Sequence, residues 1–275
     1  MICYGLLQAQ LSRTHYIPPI TAAANNNSIP QNQYLHISTP SISPVNVELN
    51  QMGGIVLNYI VSNSSPVEVF IGSGDNTSFV VPSFDTASQI NNKGYVVNSE
   101  KPVYVSVRLT GGNQNQAGSL VSKGLSGLGK TFRVGTFTNL KTFSAGDQDY
   151  INFVSVMATE NNTQVDFSDL PVDVIIENNT PLSTVLDAGE SYVVALNPAE
   201  ITSNTDGLIG ALVNSNKPIV VNCGSFNGSN SNGNGRDAGI DQIAPLETIA
   251  IDGQEFSEYI FVRANGFDAI ERPLI

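Results

Sequence analysis

Tryptophan is absent, histidine and cysteine occur twice each, and only 13% of the 275 residues are charged. Each shortage closes off a class of function. His15, His36, Cys3 and Cys223 are too few to furnish a tetrahedral zinc site. With no G-x-S-x-G elbow, they also leave little from which to build a serine–histidine–carboxylate triad. Twelve Lys and Arg against 24 Asp and Glu give a net charge of −12. Phosphate backbones are held by clustered cations, and these are scattered, so nucleic acid is excluded as a partner. No run approaches the ~20 apolar residues of a bilayer-crossing helix, so the chain is not membrane-spanning. Without tryptophan, sugar rings lose their best stacking platform.

What is present is an apolar fraction of 41%, enough for a sizeable core, wetted by Asn, Ser, Thr, Gly and Gln. That balance suits an exported β protein. The opening Met-Ile-Cys-Tyr-Gly-Leu-Leu-Gln-Ala-Gln10 reads as the remnant of a secretory signal, apolar up to a small-residue site. Cys3 lies in that segment. Cys223, in the apolar run Pro218–Gly224, reads as a buried, inert thiol.

The strongest signal is internal. Gly94-Tyr-Val-Val-Asn-Ser-Glu-Lys-Pro-Val-Tyr-Val105 aligns without gaps to Gly210-Ala-Leu-Val-Asn-Ser-Asn-Lys-Pro-Ile-Val-Val221. The pattern predicts an apolar strand, an Asn-Ser-x-Lys turn, and a proline opening a second strand: a hairpin used twice. A Gly/Asn-rich loop follows each copy, at 110–116 and 227–237, and each loop ends in Ala-Gly. The expected organisation is a signal remnant at 1–10, an extension at 11–33, β units at 34–150 and 151–257, and the start of a third unit at 258–275. Short strands separated by turn residues make the class all-β and antiparallel, with helical periodicity nearly absent. A propeller-like array is favoured over tandem β-sandwiches.

Gly124-Leu-Ser-Gly-Leu-Gly-Lys130-Thr131 satisfies the phosphate-loop pattern, but that chemistry needs a following helix. Here Phe132-Arg-Val-Gly-Thr-Phe is strand-like, so a glycine-rich connection is expected and no cofactor. Asp237 and Asp241, with Glu247 and Asp252 beyond, are the carboxylates that a polysaccharide-active site would use. With loop Asn carbonyls they are also the one candidate calcium site. Loops on a rigid β scaffold are where recognition tends to sit. The binding candidates are therefore Asn113, Gln114 and Asn115 in the first loop, and Asn227, Asn230, Asn232, Asn234, Arg236, Asp237 and Asp241 in and after the second.

Several runs together carry a resemblance: Leu11-Ser-Arg-Thr-His-Tyr-Ile-Pro-Pro19, Gln33-Tyr-Leu-His-Ile-Ser-Thr-Pro40, Ala117-Gly-Ser-Leu-Val-Ser-Lys-Gly124, Lys217-Pro-Ile-Val-Val221, Gly224-Ser-Phe-Asn-Gly228 and Tyr259-Ile-Phe-Val262. They resemble the N-terminal domain of the IgG-Fc-binding protein family, as found in secreted flavobacterial (Bacteroidetes) proteins that use type IX secretion. The resemblance implies a secreted or cell-surface part of a longer protein, binding an extracellular protein or glycan without catalysis. It transfers no individual site residue, nor IgG binding itself. The alternative is a polysaccharide-active enzyme or its accessory module.

Overall fold

Runs of β-branched and aromatic residues, broken every six to eight positions by Gly, Asn or Pro, dictate strands. The computed structural model describes residues 10–22, 29–86, 88–111, 116–135, 151–196, 207–228 and 237–246, with short strands at 250–251 and 254–255. In chain order these form β1 (Ser12–Ile17), β2 (Ile20–Ala22), β3 (Gln31–Ser38), β4 (Val45–Gln51), β5 (Val56–Val61), β6 (Val67–Gly72), β7 (Val80–Pro82), β8 (Tyr95–Gly111) and β9 (Gln116–Val121). Then follow β10 (Gly129–Arg133), β11 (Ile151–Ala158), β12 (Thr163–Ser168), β13 (Ser183–Leu186), β14 (Ser191–Ala195), β15 (Leu212–Gly228), β16 (Asp237–Ile243), β17 (Ala250–Ile251) and β18 (Gln254–Glu255). The fold is all-β.

Two seven-stranded antiparallel sheets carry the same wiring. The first runs β5-β4-β8-β3-β6 with β1 and β9 also on β8; the second runs β13-β12-β15-β11-β14 with β10 and β16 also on β15. Strand for strand the two orders coincide. The equivalence starts at β1 and β10, where Leu11-Ser-Arg-Thr14 matches Leu128-Gly-Lys-Thr131. These starts precede the expected ones at 34 and 151. Both first strands shift register against the long strand at the same place, between Ser12 and Thr14 and between Gly129 and Thr131.

The long strands correct one expectation. The Asn-Ser-x-Lys-Pro segments are not turns between two strands; each lies inside one strand of 17 residues. The reason is local. Ser99 Oγ donates to the Lys101 carbonyl at 2.8 Å, and Ser215 Oγ to the Lys217 carbonyl at 2.7 Å. These bonds kink the strand without reversing it, and proline is tolerated where the ladder is already interrupted. The half of β8 before the kink pairs with β1 and β4, the half after it with β3 and β9. β15 divides between β10 and β12, then β11 and β16, in the same way. Each unit is thus two four-stranded layers sharing one bent strand. They curl over a common core into barrel-like forms, a construction distinct from the radiating blades of a propeller.

Two apolar clusters fill these cores. Leu35, Ile37, Val47, Leu49, Val97 and Val107 belong to the first; Val154, Val156, Val165, Phe167, Val213 and Val221 belong to the second. β11 serves both. Ile151 and Phe153 face the first cluster, whereas Val154 and Val156 face the second. This explains a contrast visible in the residues. β3 alternates apolar with polar because one face meets solvent, while β11 is buried at all eight positions. The outer side of the β11–β14–β15 layer lies on the first unit near β2 and its parallel partner β7. Ile90 and Ser191 exchange both backbone hydrogen bonds there, each at 2.8 Å.

Candidate functional site

The hairpin β8–β9 and its counterpart β15–β16 stand side by side. Their approach depends on small residues: a Cβ added at Gly118 would meet Ala238 Cβ at 2.7 Å and the Ala238 carbonyl oxygen at 3.1 Å. At the loop end the Ala117 N–H donates to Asp237 Oδ1 at 2.7 Å, and the same oxygen accepts the Ala238 N–H at 3.0 Å. One carboxylate therefore ties the base of one hairpin to the base of the other. The starts of β9 and β16 are thereby held together.

Farther along, the pair is held by buried polar groups. Gln242 accepts the Lys123 N–H at 2.7 Å and donates to the Tyr16 carbonyl at 2.9 Å; Asn222 donates to the Pro18 carbonyl at 2.7 Å. His15 Nε2 faces the carbonyl oxygens of Val103 at 3.0 Å and Ser12 at 3.2 Å, so it carries the ring proton. Nδ1 then accepts from the Ser122 hydroxyl at 3.0 Å. Burial lowers the His15 pKa to about 4, although the two carbonyls oppose that shift. His15 is a neutral structural donor.

Of the expected binding residues, Asp237 sits at this junction and Asn227 lies on β15. Asp241 lies on β16 opposite Cys223. Asn113, Gln114, Asn115, Asn230, Asn232, Asn234 and Arg236 lie outside the described residues, as do Cys3, Glu247, Asp252 and the stretch 258–275. Asp237 and Asp241 are four positions apart on one strand, about 13 Å of rise at roughly 3.3 Å per residue. Carboxyl pairs that cleave glycosides stand roughly 5–9.5 Å apart, so this pair does not have that geometry. Among the described residues no group of three or more His, Cys, Asp or Glu is placed to hold a metal ion. The Cys223 thiol donates to the Gly135 carbonyl. Burial, aided by the Asp241 charge, pushes its pKa up to about 12.

The phosphate-loop pattern resolves differently from a nucleotide site. Gly124–Gly127 is a 3-10 turn and Gly129–Arg133 is β10, so Lys130 is an exposed strand residue with no helix behind it. It is the repeat counterpart of Arg13.

Sequence reasoning missed a second feature. On the outward face of the first unit a groove of about 480 Å³ is lined by His36, Glu68, Tyr104 and Arg108 among others. Beside it Tyr34 and Phe70 form an edge-to-face pair with centroids 5.4 Å apart. Phe70 is 58% exposed and Tyr104 42%. A signal existed: aligning β6 with β14 and β8 with β15 puts Glu68, Phe70 and Arg108 where the second unit has Val193, Ala195 and Gly224.

One family model, that of the IgGFc binding protein, matches residues 117–269, more than half of the chain. The chain belongs to this family. The match begins at β9, at the inner edge of the twin hairpins, and takes in the whole second sheet, Asp237 and Asp241. No curated protein and no solved structure matches the chain. The IgGFc binding family is a family of binding domains and points to a protein partner. Among the described residues no helix is long and apolar enough to cross a membrane.

Proposed function

We propose that the chain is a non-catalytic, extracellular recognition module of a bacterial surface or secreted protein, and that it grips a protein partner with the loops of its twin hairpins. The observation that carries this reading is the Ala117–Asp237 hydrogen bond, which joins the starts of β9 and β16, the strands that follow the two Asn/Gly-rich segments of the sequence. Membership of the IgGFc binding family supports a protein partner. Export and surface display, with type IX secretion as the route, rest on the resemblance to secreted flavobacterial proteins. A two-unit scaffold with continuous cores suits display, because loops gain specificity when their bases are fixed.

Deletion of 229–235 tests this reading. Wild type and variant are applied to an array of extracellular proteins and glycans that includes an IgG Fc fragment. Loss of the wild-type protein signal, with circular dichroism unchanged, is expected. Retention of every signal overturns the loop assignment, and a purely glycan signal overturns the protein partner.

A further inference from the structure

The two sheets present the same face to different surroundings. In the second sheet Phe153 lies across from Ala195 and Gly224, and Ser155 across from Val193 and Asn222. All of the side chains among these six are buried against the first unit. In the first sheet the same positions are Tyr34 across from Phe70 and Arg108, and His36 across from Glu68 and Ser106. This face is open.

Its composition says what can cover it. A ribbon like that of β2 and β7, which covers the second sheet's face, is apolar. Laid on the first sheet it would bury Arg108 and Glu68 without counter-charges, a strongly unfavourable exchange. Glu68 already has His36 Nδ1 at 3.5 Å. Arg108 makes no ion pair among the described residues. It lines the groove together with Tyr104, four positions earlier on β8, on a chain of net charge −12. Exposed aromatics around an unpaired arginine are the composition of binding hot spots.

We propose that the outward face of β3, β6 and β8 is a second protein-binding surface, distinct from the hairpin loops. It takes a partner segment that sets a carboxylate on Arg108 and apolar side chains against Tyr104 and Phe70. The fold already uses this face as a protein–protein seat in its other copy, and the change of residues converts an internal seat into an external one. The guanidinium, unpaired among the described residues, specifies an acidic occupant, for which it supplies a two-pronged donor.

The test pans the intact chain with a phage-displayed random peptide library. Enriched peptides are expected to carry Asp or Glu next to an aromatic or aliphatic residue. A synthetic copy should lose at least about tenfold in affinity on Arg108→Glu and on Phe70→Ser. It should bind normally to the 229–235 deletion, which separates this surface from the loop reading. Panning on Arg108→Glu should select Lys- or Arg-bearing peptides instead, a gain that an unfolded variant cannot give. Absence of enrichment, the same peptides from both panels, or glycans whose binding Phe70→Ser abolishes would each overturn the proposal. So would dimerisation of the chain that Phe70→Ser abolishes.

Discussion

His15 in β1 occupies the place that Phe132 occupies in β10. Each follows the shared threonine, each is fully buried, and each pairs with a valine of the long strand, Val97 and Val213 respectively. A histidine stands where the sister unit has a phenylalanine because this position in the first unit looks onto the junction, where Val103, Ser12 and Ser122 supply partners.

That exchange predicts a pH dependence. The folded-state pKa is about 4, against 6.5 unperturbed. Above the upper value His15 is neutral whether the chain is folded or not. Between the two values the unfolded chain takes up a proton that the folded chain refuses, so stability falls as the pH drops through this window and levels off below it. The full difference is roughly 3 kcal/mol. His15→Phe should remove this contribution, at a cost of about 1–3 kcal/mol near neutrality for stranded carbonyls and hydroxyl. Urea unfolding of both proteins from about pH 4 to about pH 7 reads it; parallel curves would refute the assignment.

Gly118 is required by contact with the neighbouring hairpin. Gly118→Val should destabilise by roughly 1–3 kcal/mol through overpacking. Ala238→Gly, introduced second, should return part of the loss because it removes one of the two clashing atoms. A double-mutant cycle measures the coupling, and strict additivity would contradict the close approach.

Ser155 carries a hydroxyl that is fully buried and has no hydrogen-bond partner among the described residues. Ser155→Ala should therefore be neutral or stabilising by up to about 1 kcal/mol, unlike most buried substitutions. A loss of more than about 1 kcal/mol in the unfolding midpoint analysis would show that the hydroxyl has a partner.

Cys223 should be inert. With its pKa at about 12, the thiolate is a minute fraction at neutral pH. In a Cys3→Ser background, Ellman's reagent should release no colour from the native protein and one equivalent after denaturation. Rapid native labelling would contradict the burial.

Fold class was legible because it is written in short-range chemistry: period-two apolar residues, Gly and Asn breaks, and the repeated Asn-Ser-x-Lys-Pro. The same segment misled at the next level. Turn residues signal a local kink as readily as a reversal, and only the pairing of both halves of β8 with different neighbours distinguishes the two. Asp237 was legible as a residue beside a long loop, but its bond to Ala117 spans 120 positions, and nothing local announces it. The face around Arg108 escaped notice for a related reason. A lone arginine among alternating residues looks like any solvated strand position until the buried Gly224 of the sister sheet is set beside it.

The layer formed by β11, β14 and β15 works as a party wall. Each room needs it standing, so neither can be emptied while the other stays furnished. Heat should bring both down in a single cooperative step, and severing the chain between the rooms would leave Phe153 and Ile151 as a sticky plaster surface on an orphaned half.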